Sequence, residues 1–207
     1  MPIRILWGEV IPLTFVKELA DIKVVVMSQP FRRYDPPVGK MVPELLSLGA
    51  HLYDFLESLN RTVAVVVSAD LAHTHQSEGP YGFSEAAEPF DNNVGNWAAT
   101  LHPSYLLTEA TKYADEAKSC GYTGLVMLHG LLKQGMLSAW TPVMHANYHP
   151  SYYGMMVASF SRKSLGVDPP ISVEQSSPTG QSPLDESFCE NCTPKRISKL
   201  TTTKKGG

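Results

Sequence analysis

Hydrophobic positions in the first part of the chain form two apolar runs with an amphipathic stretch between them. The runs "IKVVVM" at 22–27 and "TVAVVV" at 62–67 are apolar without alternation, which is typical of strands covered on both faces. The stretch "VPELLSLGAHLYDFLESLN" repeats leucines at three- and four-residue steps, so it predicts a helix with one apolar face. Strand, helix and strand in this order predict a βαβ unit whose two strands are parallel.

Two further helices are predicted downstream. Ser84 is a suitable cap for a helix through "EAAEPFDNNVGNWAAT", which Pro89 and Gly95 would bend or divide. A second helix is expected to begin at Pro103, because apolar residues then recur on one side, and to end near Cys120. Helices are therefore expected on the faces of the predicted sheet.

The last apolar segments complete the predicted fold. "GLVMLHGLL" at 124–132 is compatible with a buried strand or with a core helix, and periodicity does not separate the two. "YYGMMVASFSR" at 152–162 alternates and predicts another strand. Together the elements predict an α/β domain over residues 1–165, with a central, mostly parallel sheet flanked by helices.

The composition changes at about Gly166. The remaining segment is rich in Ser, Thr, Pro and Lys, so we predict a disordered tail over 166–207. Cys189 and Cys192 in this tail resemble half of a zinc site or a redox pair, but no second ligand pair accompanies them and structural zinc needs four ligands.

Composition and charge exclude several classes of protein. The chain has 207 residues, 43% hydrophobic and 18% charged, which is a globular composition. Its net charge of -3 and the absence of a basic stripe argue against a nucleic-acid partner. Three cysteines without framework spacing favour a reducing compartment. No apolar run approaches the roughly 20 residues of a membrane span, so a cytoplasmic protein without a membrane partner is expected.

Candidate chemistry follows the second apolar run, in "SADLAHTHQSEGPYGF". Parallel sheets bind ligands beyond the carboxyl ends of their strands. There, His73 is suited to accept a proton near neutral pH, and Asp70 is placed to fix its tautomer. Alternatively, Asp70 caps the turn and the histidines are solvated. His75 is expected on the opposite side of an extended segment, so at most one of the two histidines faces a shared site.

Three other histidines differ in their surroundings. His129 lies within an apolar run and is predicted to be a core histidine. His145 and His149 precede the last predicted strand and are expected to line the same crevice as His73.

Several blocks carry a family resemblance. "VVVSADLAHTHQSEGPYGFSEAAEPFDNNV", "CGYTGLVMLHGLL" and "HPSYYGMMVASF" resemble class III extradiol ring-cleavage dioxygenases, in particular the relatives of the protocatechuate 4,5-dioxygenase beta subunit, and "WGEVIPLTFV" is similar to a further family segment. The resemblance runs from about Trp7 to Phe160. It implies the α/β fold and a non-haem Fe(II) held by two histidines and a carboxylate, with open positions for a small aromatic diol and O2.

The resemblance also implies roles for individual residues. His73 matches the histidine of the family's S-x-D-L-x-H segment, which implies a general acid/base with Asp70 as its supporting residue. His75, Tyr81 and His149 are the corresponding candidates for substrate binding.

The metal ligands depart from the family pattern. The family's metal-binding histidines precede "WGEVIPL", and none of the six residues before Trp7 is a histidine. The chain therefore looks like a member that has lost its leading strand and loop. Related Memo-like proteins have a cysteine-glycine near the metal, to which Cys120-Gly121 is similar, and Glu116 is the nearest candidate carboxylate.

Two functions are predicted. The first is an Fe(II)-dependent extradiol dioxygenase that cleaves a catechol-type ring with O2. The alternative is a catalytically impaired, Memo-like member that binds partners without turnover. A metal-dependent hydrolase is a weaker interpretation, because the chain lacks an H-E-x-x-H pair. A lost leading strand would expose a sheet edge and favour a homo-oligomer.

Overall fold

The structure is a computed structural model that describes residues 7–16, 19–28 and 37–162. The chain divides into residues 1–165 and 166–207. The predicted tail, with Cys189 and Cys192, and the six residues before Trp7 lie outside the described residues. The helices within these residues are α1 (Trp7–Thr14), α2 (Val42–Ser58), α3 (Ala87–Thr100), α4 (Ala114–Ala117) and α5 (Tyr122–Gln134), and the strands are β1 (Trp140–Tyr148) and β2 (Met155–Arg162).

The predicted central parallel sheet is wrong. Within the described residues the sheet has two strands, β1 and β2, which pair antiparallel with a register shift between Met144 and Ala146. Residues 22–27 and 62–67 form no ladder with any described residue, and Val25 and Val66 are 90% and 66% exposed. β-Branched residues fit a strand, but the choice of a partner strand depends on distant residues that a local run does not encode.

The segment 124–132 belongs to helix α5 and not to a strand. Ten of the 13 residues of α5 are buried, and a helix that is buried all round is apolar all round. The strand predicted at 152–162 is confirmed, since β2 covers most of it.

The prediction of helix α2 is confirmed, and this helix packs closely on α5. A Cβ atom at Gly49 of α2 would overlap the carbonyl oxygen of Met127 and lie 2.7 Å from the backbone nitrogen of Leu131. In turn, a Cβ atom at Gly130 of α5 would lie 2.8 Å from the Cα of Leu46. The two backbones therefore touch where each helix has a glycine.

Helix α3 is continuous, contrary to the expectation that Pro89 and Gly95 would bend or divide it. Pro89 lies in the first turn, where a backbone N–H has no partner within the helix. Gly95 faces β1, and a Cβ atom there would lie 3.2 Å from the Cγ of Asn147. This glycine therefore reflects close packing and not a break.

The segment after Pro103 is helical but irregular. A π turn covers Tyr105–Glu109 and a 3-10 turn covers Ala110–Lys112, before α4. The stretch ends at Lys118, which has a left-handed φ of 56°. This end lies close to the predicted one at Cys120. The tight turn at Lys118 places Cys120 next to the loop that follows residues 62–67.

The core is formed by buried residues of α2, α3, α5 and the helical segment after Pro103, and partly buried side chains of the β ribbon, the pair of strands β1 and β2, pack against it. Trp97 of α3 is fully buried, and its ring lies 5.5 Å from that of Phe160 in β2. Its Nε1–H donates a hydrogen bond of 3.0 Å to Nδ1 of His129. His129 is fully buried, which confirms the predicted core histidine. None of the helices in the described ranges has the length and apolar character that a membrane crossing requires.

Candidate metal centre

Backbone hydrogen bonds hold the loop that carries Asp70, His73 and His75. Leu71 N–H donates to the carbonyl of Gly154 (2.8 Å), and Gly154 N–H donates to that of Ala72 (2.7 Å). His73 N–H donates to the carbonyl of Ala117 at the end of α4 (2.7 Å). Hydrogen bonds therefore hold the loop on both sides. They satisfy its buried backbone groups and fix the directions of its side chains.

Three potential metal ligands converge on this loop. His73 Nε2–H donates to Oδ2 of Asp70 at 3.2 Å, and the Asp70 backbone N–H donates to Sγ of Cys120 at 3.2 Å. One ligand atom from each of these residues lies within 4.8 Å of the other two, and no second group of three such residues occurs in the part of the chain that the structure describes. Asp70 and His73 therefore pair as predicted, and Cys120 joins them.

The imidazole of His73 is a strong base here. Burial lowers the pKa of His73, but hydrogen bonds with the Asp70 carboxylate and the Cys120 sulfur, together with their negative charges, outweigh it and raise the pKa to about 9. The metal-free protein therefore carries an imidazolium at neutral pH. A metal must displace this proton, so metal affinity should increase with pH.

In the metal-free protein, the His73 imidazole is expected to titrate near pH 9 and not near 6.5, because its partners stabilise the charged form. Histidine ring resonances followed by ¹H–¹⁵N NMR over pH 5 to 10 would measure this. The His73→Gln variant would identify the resonance by its loss. A midpoint at or below the ordinary value would contradict the expectation.

Aromatic rings flank His73. The Tyr81 ring stacks on it at 5.3 Å between centroids, with 16° between the planes, and the Tyr152 ring lies at 6.3 Å. The turn that carries Tyr81 needs Gly82, whose φ is 72°. It also needs Gly79, because a Cβ atom there would lie 2.6 Å from Cβ of Tyr152. The Gly-Pro-Tyr-Gly turn thus places Tyr81, a predicted substrate-binding residue, beside His73.

His75 belongs to a separate cluster, in agreement with the expectation that the two histidines face different ways. Its Nε2–H donates to Oδ2 of Asp91 at 2.7 Å. Its ring stacks on that of His149, with 4.1 Å between centroids and 8° between planes. His75 and His149 are both predicted to bind substrate, and the structure brings them together outside the Asp70–His73–Cys120 group rather than within it.

The sequence pattern did not identify Asp91. Its Oδ1 accepts a hydrogen bond of 2.9 Å from Ala72 N–H, so it joins α3 to the loop. Burial raises the pKa of Asp91, against the opposing effect of hydrogen bonds from Ala72 and His75. A signal exists in the sequence, since Asp91 falls between Ala87 and Val94 on the buried stripe of α3. A carboxylate on an apolar helix face needs a partner.

Two other candidates do not reach the centre. Glu116 is not part of the three-ligand group. His145 was expected in the same crevice as His73, but its Nε2 bonds to Oγ of Ser159 on the exposed face of the β ribbon (2.9 Å).

Comparison with known proteins adds little to this description. No family model matches the sequence. A protein of Clostridium acetobutylicum, named Protein CA_C1420, is 29% identical over 92 residues, which are 44% of this chain and 19% of that protein. The match spans about a fifth of the relative, whose name states no activity. The likeness to extradiol dioxygenases therefore stays a prediction.

Proposed function

We propose that this chain binds a divalent transition metal through Asp70, His73 and Cys120, and that the bound metal serves ring cleavage of a catechol-type diol with O2. The convergence of the three ligand atoms within 4.8 Å carries the proposal. A thiolate, an imidazole and a carboxylate together suit a first-row divalent metal such as Fe(II) or Zn(II). Three protein ligands leave positions for a substrate, as in catalytic metal sites.

The three ligands agree only in part with the ferrous site that the resemblance implies. The resemblance implies two histidines and a carboxylate, whereas this group offers one histidine, one carboxylate and one thiolate, since His75 is engaged by Asp91. A ferrous ion held here would supply coordination positions for the diol oxygens and O2. A free thiol such as Cys120 persists most readily in a reducing compartment, which supports the cytoplasmic location that we propose.

The residues around the group favour a flat aromatic substrate. Tyr81 stacks on the His73 ring and exposes half of its own surface, so it offers a wall on which a further ring can stack. In the metal-free protein, Nε2 of His73 carries a proton that it donates to Asp70. A metal that binds to Nε2 must displace this proton. If His73 instead remains a proton carrier, as the resemblance implies, metal binding will not depend on its ring.

Anaerobic loading with Fe(II), followed by catechol and air, tests the proposal through two measurements: Fe(II) affinity by calorimetry and ring-fission product by visible absorbance. His73→Ala and Cys120→Ala are each expected to lower Fe(II) affinity at least a hundredfold and to abolish product. His51→Ala is the matched control, because His51 is exposed on α2 and bonds to Ser47 within its own helix. Unchanged Fe(II) affinity in His73→Ala would overturn the three-ligand site.

A second candidate function is metal binding without turnover, as in the predicted Memo-like alternative. The single histidine in the donor set favours it, because ring-cleaving sites of the predicted type use two. Stoichiometric Fe(II) binding that depends on His73, with no ring fission from any catechol tested, would support this candidate and exclude the dioxygenase.

A further inference from the structure

The residue before the metal ligand His73 is held by a side chain from helix α3. The backbone N–H groups of Leu71 and His73 each donate to a backbone carbonyl. Ala72 N–H, between them, donates instead to Oδ1 of Asp91 at 2.9 Å. Because Ala72 is fully buried, loss of this acceptor would leave its N–H without a partner, which is costly inside a protein.

The Asp91 carboxylate bonds to the loop on both sides of His73. Oδ1 accepts from Ala72, directly before His73. Oδ2 accepts a hydrogen bond of 2.7 Å from Nε2–H of His75, two residues after His73. The two oxygens of one carboxylate therefore fix the backbone at both ends of the short segment that carries His73.

Asp91 is itself fixed by its surroundings. Its side chain is only 8% exposed, and its backbone carbonyl accepts a hydrogen bond of 2.8 Å from Nδ2 of Asn147 in β1. A Cβ atom at Gly154 would overlap Oδ2 of Asp91 and lie 2.7 Å from its Cγ, so the carboxylate fills the space beside this glycine. The carboxylate cannot move away from the loop unless α3 moves with it.

Asp91 lies outside the group of three ligands. It can affect a bound metal through the position that it gives His73, or through its negative charge. Position matters because a metal site requires ligand distances within a few tenths of an ångström of their ideal values. Variants of Asp91 that change charge and shape separately distinguish the two effects.

We propose that Asp91 is a positioning residue of the candidate metal centre: its carboxylate holds the loop at Ala72 and His75 and so sets the place of His73 relative to the other two ligands. The inference rests on the proposed function, because it assigns a further residue to that metal site. Helix α3 thereby supports the centre without supplying a ligand.

Calorimetric titration of the full-length protein with Co(II) tests this inference. Asp91→Ala removes both acceptors and is expected to lower Co(II) affinity about tenfold, the lower end of the cost that is typical for residues supporting metal ligands. Asp91→Glu keeps the charge, but its longer side chain has no room beside Gly154, so it should weaken Co(II) binding in the same way.

Asp91→Asn removes the charge and keeps the shape. Its oxygen can still accept from Ala72 N–H, and the other tautomer of His75 accepts from its amide nitrogen. Co(II) affinity is therefore expected to stay within about threefold of that of the parent protein. If Asp91→Asn instead loses as much affinity as Asp91→Ala, the charge of Asp91 and not the position of His73 attracts the ion, and the inference is overturned.

The visible spectrum of bound Co(II) gives a second measurement, because its bands depend on the identity and geometry of the ligands. A lower stability does not change these bands while the protein is folded, whereas a displaced His73 does. The bands are expected to shift in Asp91→Ala and Asp91→Glu only. Asn93→Ala is the matched control in α3, because Asn93 donates its side-chain hydrogen bond to the Pro89 carbonyl of its own helix. It should keep the parent affinity and spectrum.

Amide hydrogen exchange of the metal-free proteins separates a failure of this inference from a failure of the proposed function. The Ala72 and His73 amides are expected to lose protection in Asp91→Ala and to keep it in Asp91→Asn. A parent protein that binds no Co(II) would overturn the proposed function, and hydrogen exchange would still decide whether Asp91 holds the loop. A parent protein that binds Co(II), with the same affinity in Asp91→Ala and Asp91→Glu, would overturn this inference alone.

Discussion

Replacing Gly49 with alanine is expected to lower the free energy of unfolding by about 3 kcal/mol, the upper part of the range for overpacked cores. The added Cβ would overlap the carbonyl oxygen of Met127 and press on the backbone of Leu131. Backbone atoms inside a helix cannot move aside as a flexible side chain can. Helices α2 and α5 must therefore separate, and each loses packing along its buried face.

The matched control is Gly8→Ala in α1, where a Cβ atom meets nothing within 4 Å. Alanine is favoured over glycine inside a helix by roughly 0.5–1 kcal/mol, so this variant should be unchanged or slightly more stable. Urea denaturation followed by circular dichroism gives the free energy of unfolding of both variants, provided that its dependence on urea concentration has the same slope in each. A Gly49→Ala variant within about 0.5 kcal/mol of the parent protein would contradict the close approach of α2 and α5.

The elements that could be predicted from the sequence are those with a local pattern. Helix α2 has one apolar face and β2 alternates, and the pattern identifies both. Helix α5 carries no such pattern, because neighbours cover it on all sides and its glycines serve packing: a Cβ atom at Gly124 would lie 3.1 Å from Val67. The run at 62–67 predicts a buried strand, but it is largely exposed and forms no ladder with any described residue, because a local apolar run encodes strand propensity and not a partner strand.

The residues of the candidate site also differ in whether a local sequence pattern predicts their contacts. Asp70 and His73 are three residues apart, which allows their pairing if the turn between them permits it, and the structure shows the hydrogen bond. Cys120 lies 50 residues from Asp70, a distance across which no local pattern extends, and only the family resemblance suggests it. The pairing of His75 with Asp91, 16 residues apart, depends on how α3 docks on the loop. Long-range contacts of this kind follow from tertiary packing.

Acidification from pH 6.5 to 4 is expected to lower the free energy of unfolding by about 3 kcal/mol through His129 alone. Burial, followed by the nearby charge of Lys133, lowers the pKa of His129 from 6.5 to about 4. Between these values the unfolded chain binds a proton that the folded protein does not, so stability falls as pH falls. Above pH 6.5 and below pH 4 the folded and unfolded states bind the same number of protons at His129, so its contribution to stability no longer changes with pH.

The variant His129→Gln isolates this effect, because a glutamine oxygen can still accept the hydrogen bond that Trp97 Nε1–H donates to His129 Nδ1. Urea denaturation of both proteins at pH 4.5 and 7 gives the difference in stability at each pH. The raised pKa of His73 does not interfere, since the stability it contributes begins to fall above pH 6.5 in both proteins alike and cancels from their difference. If the two proteins lose the same stability between pH 7 and 4.5, His129 is not held neutral by its buried site.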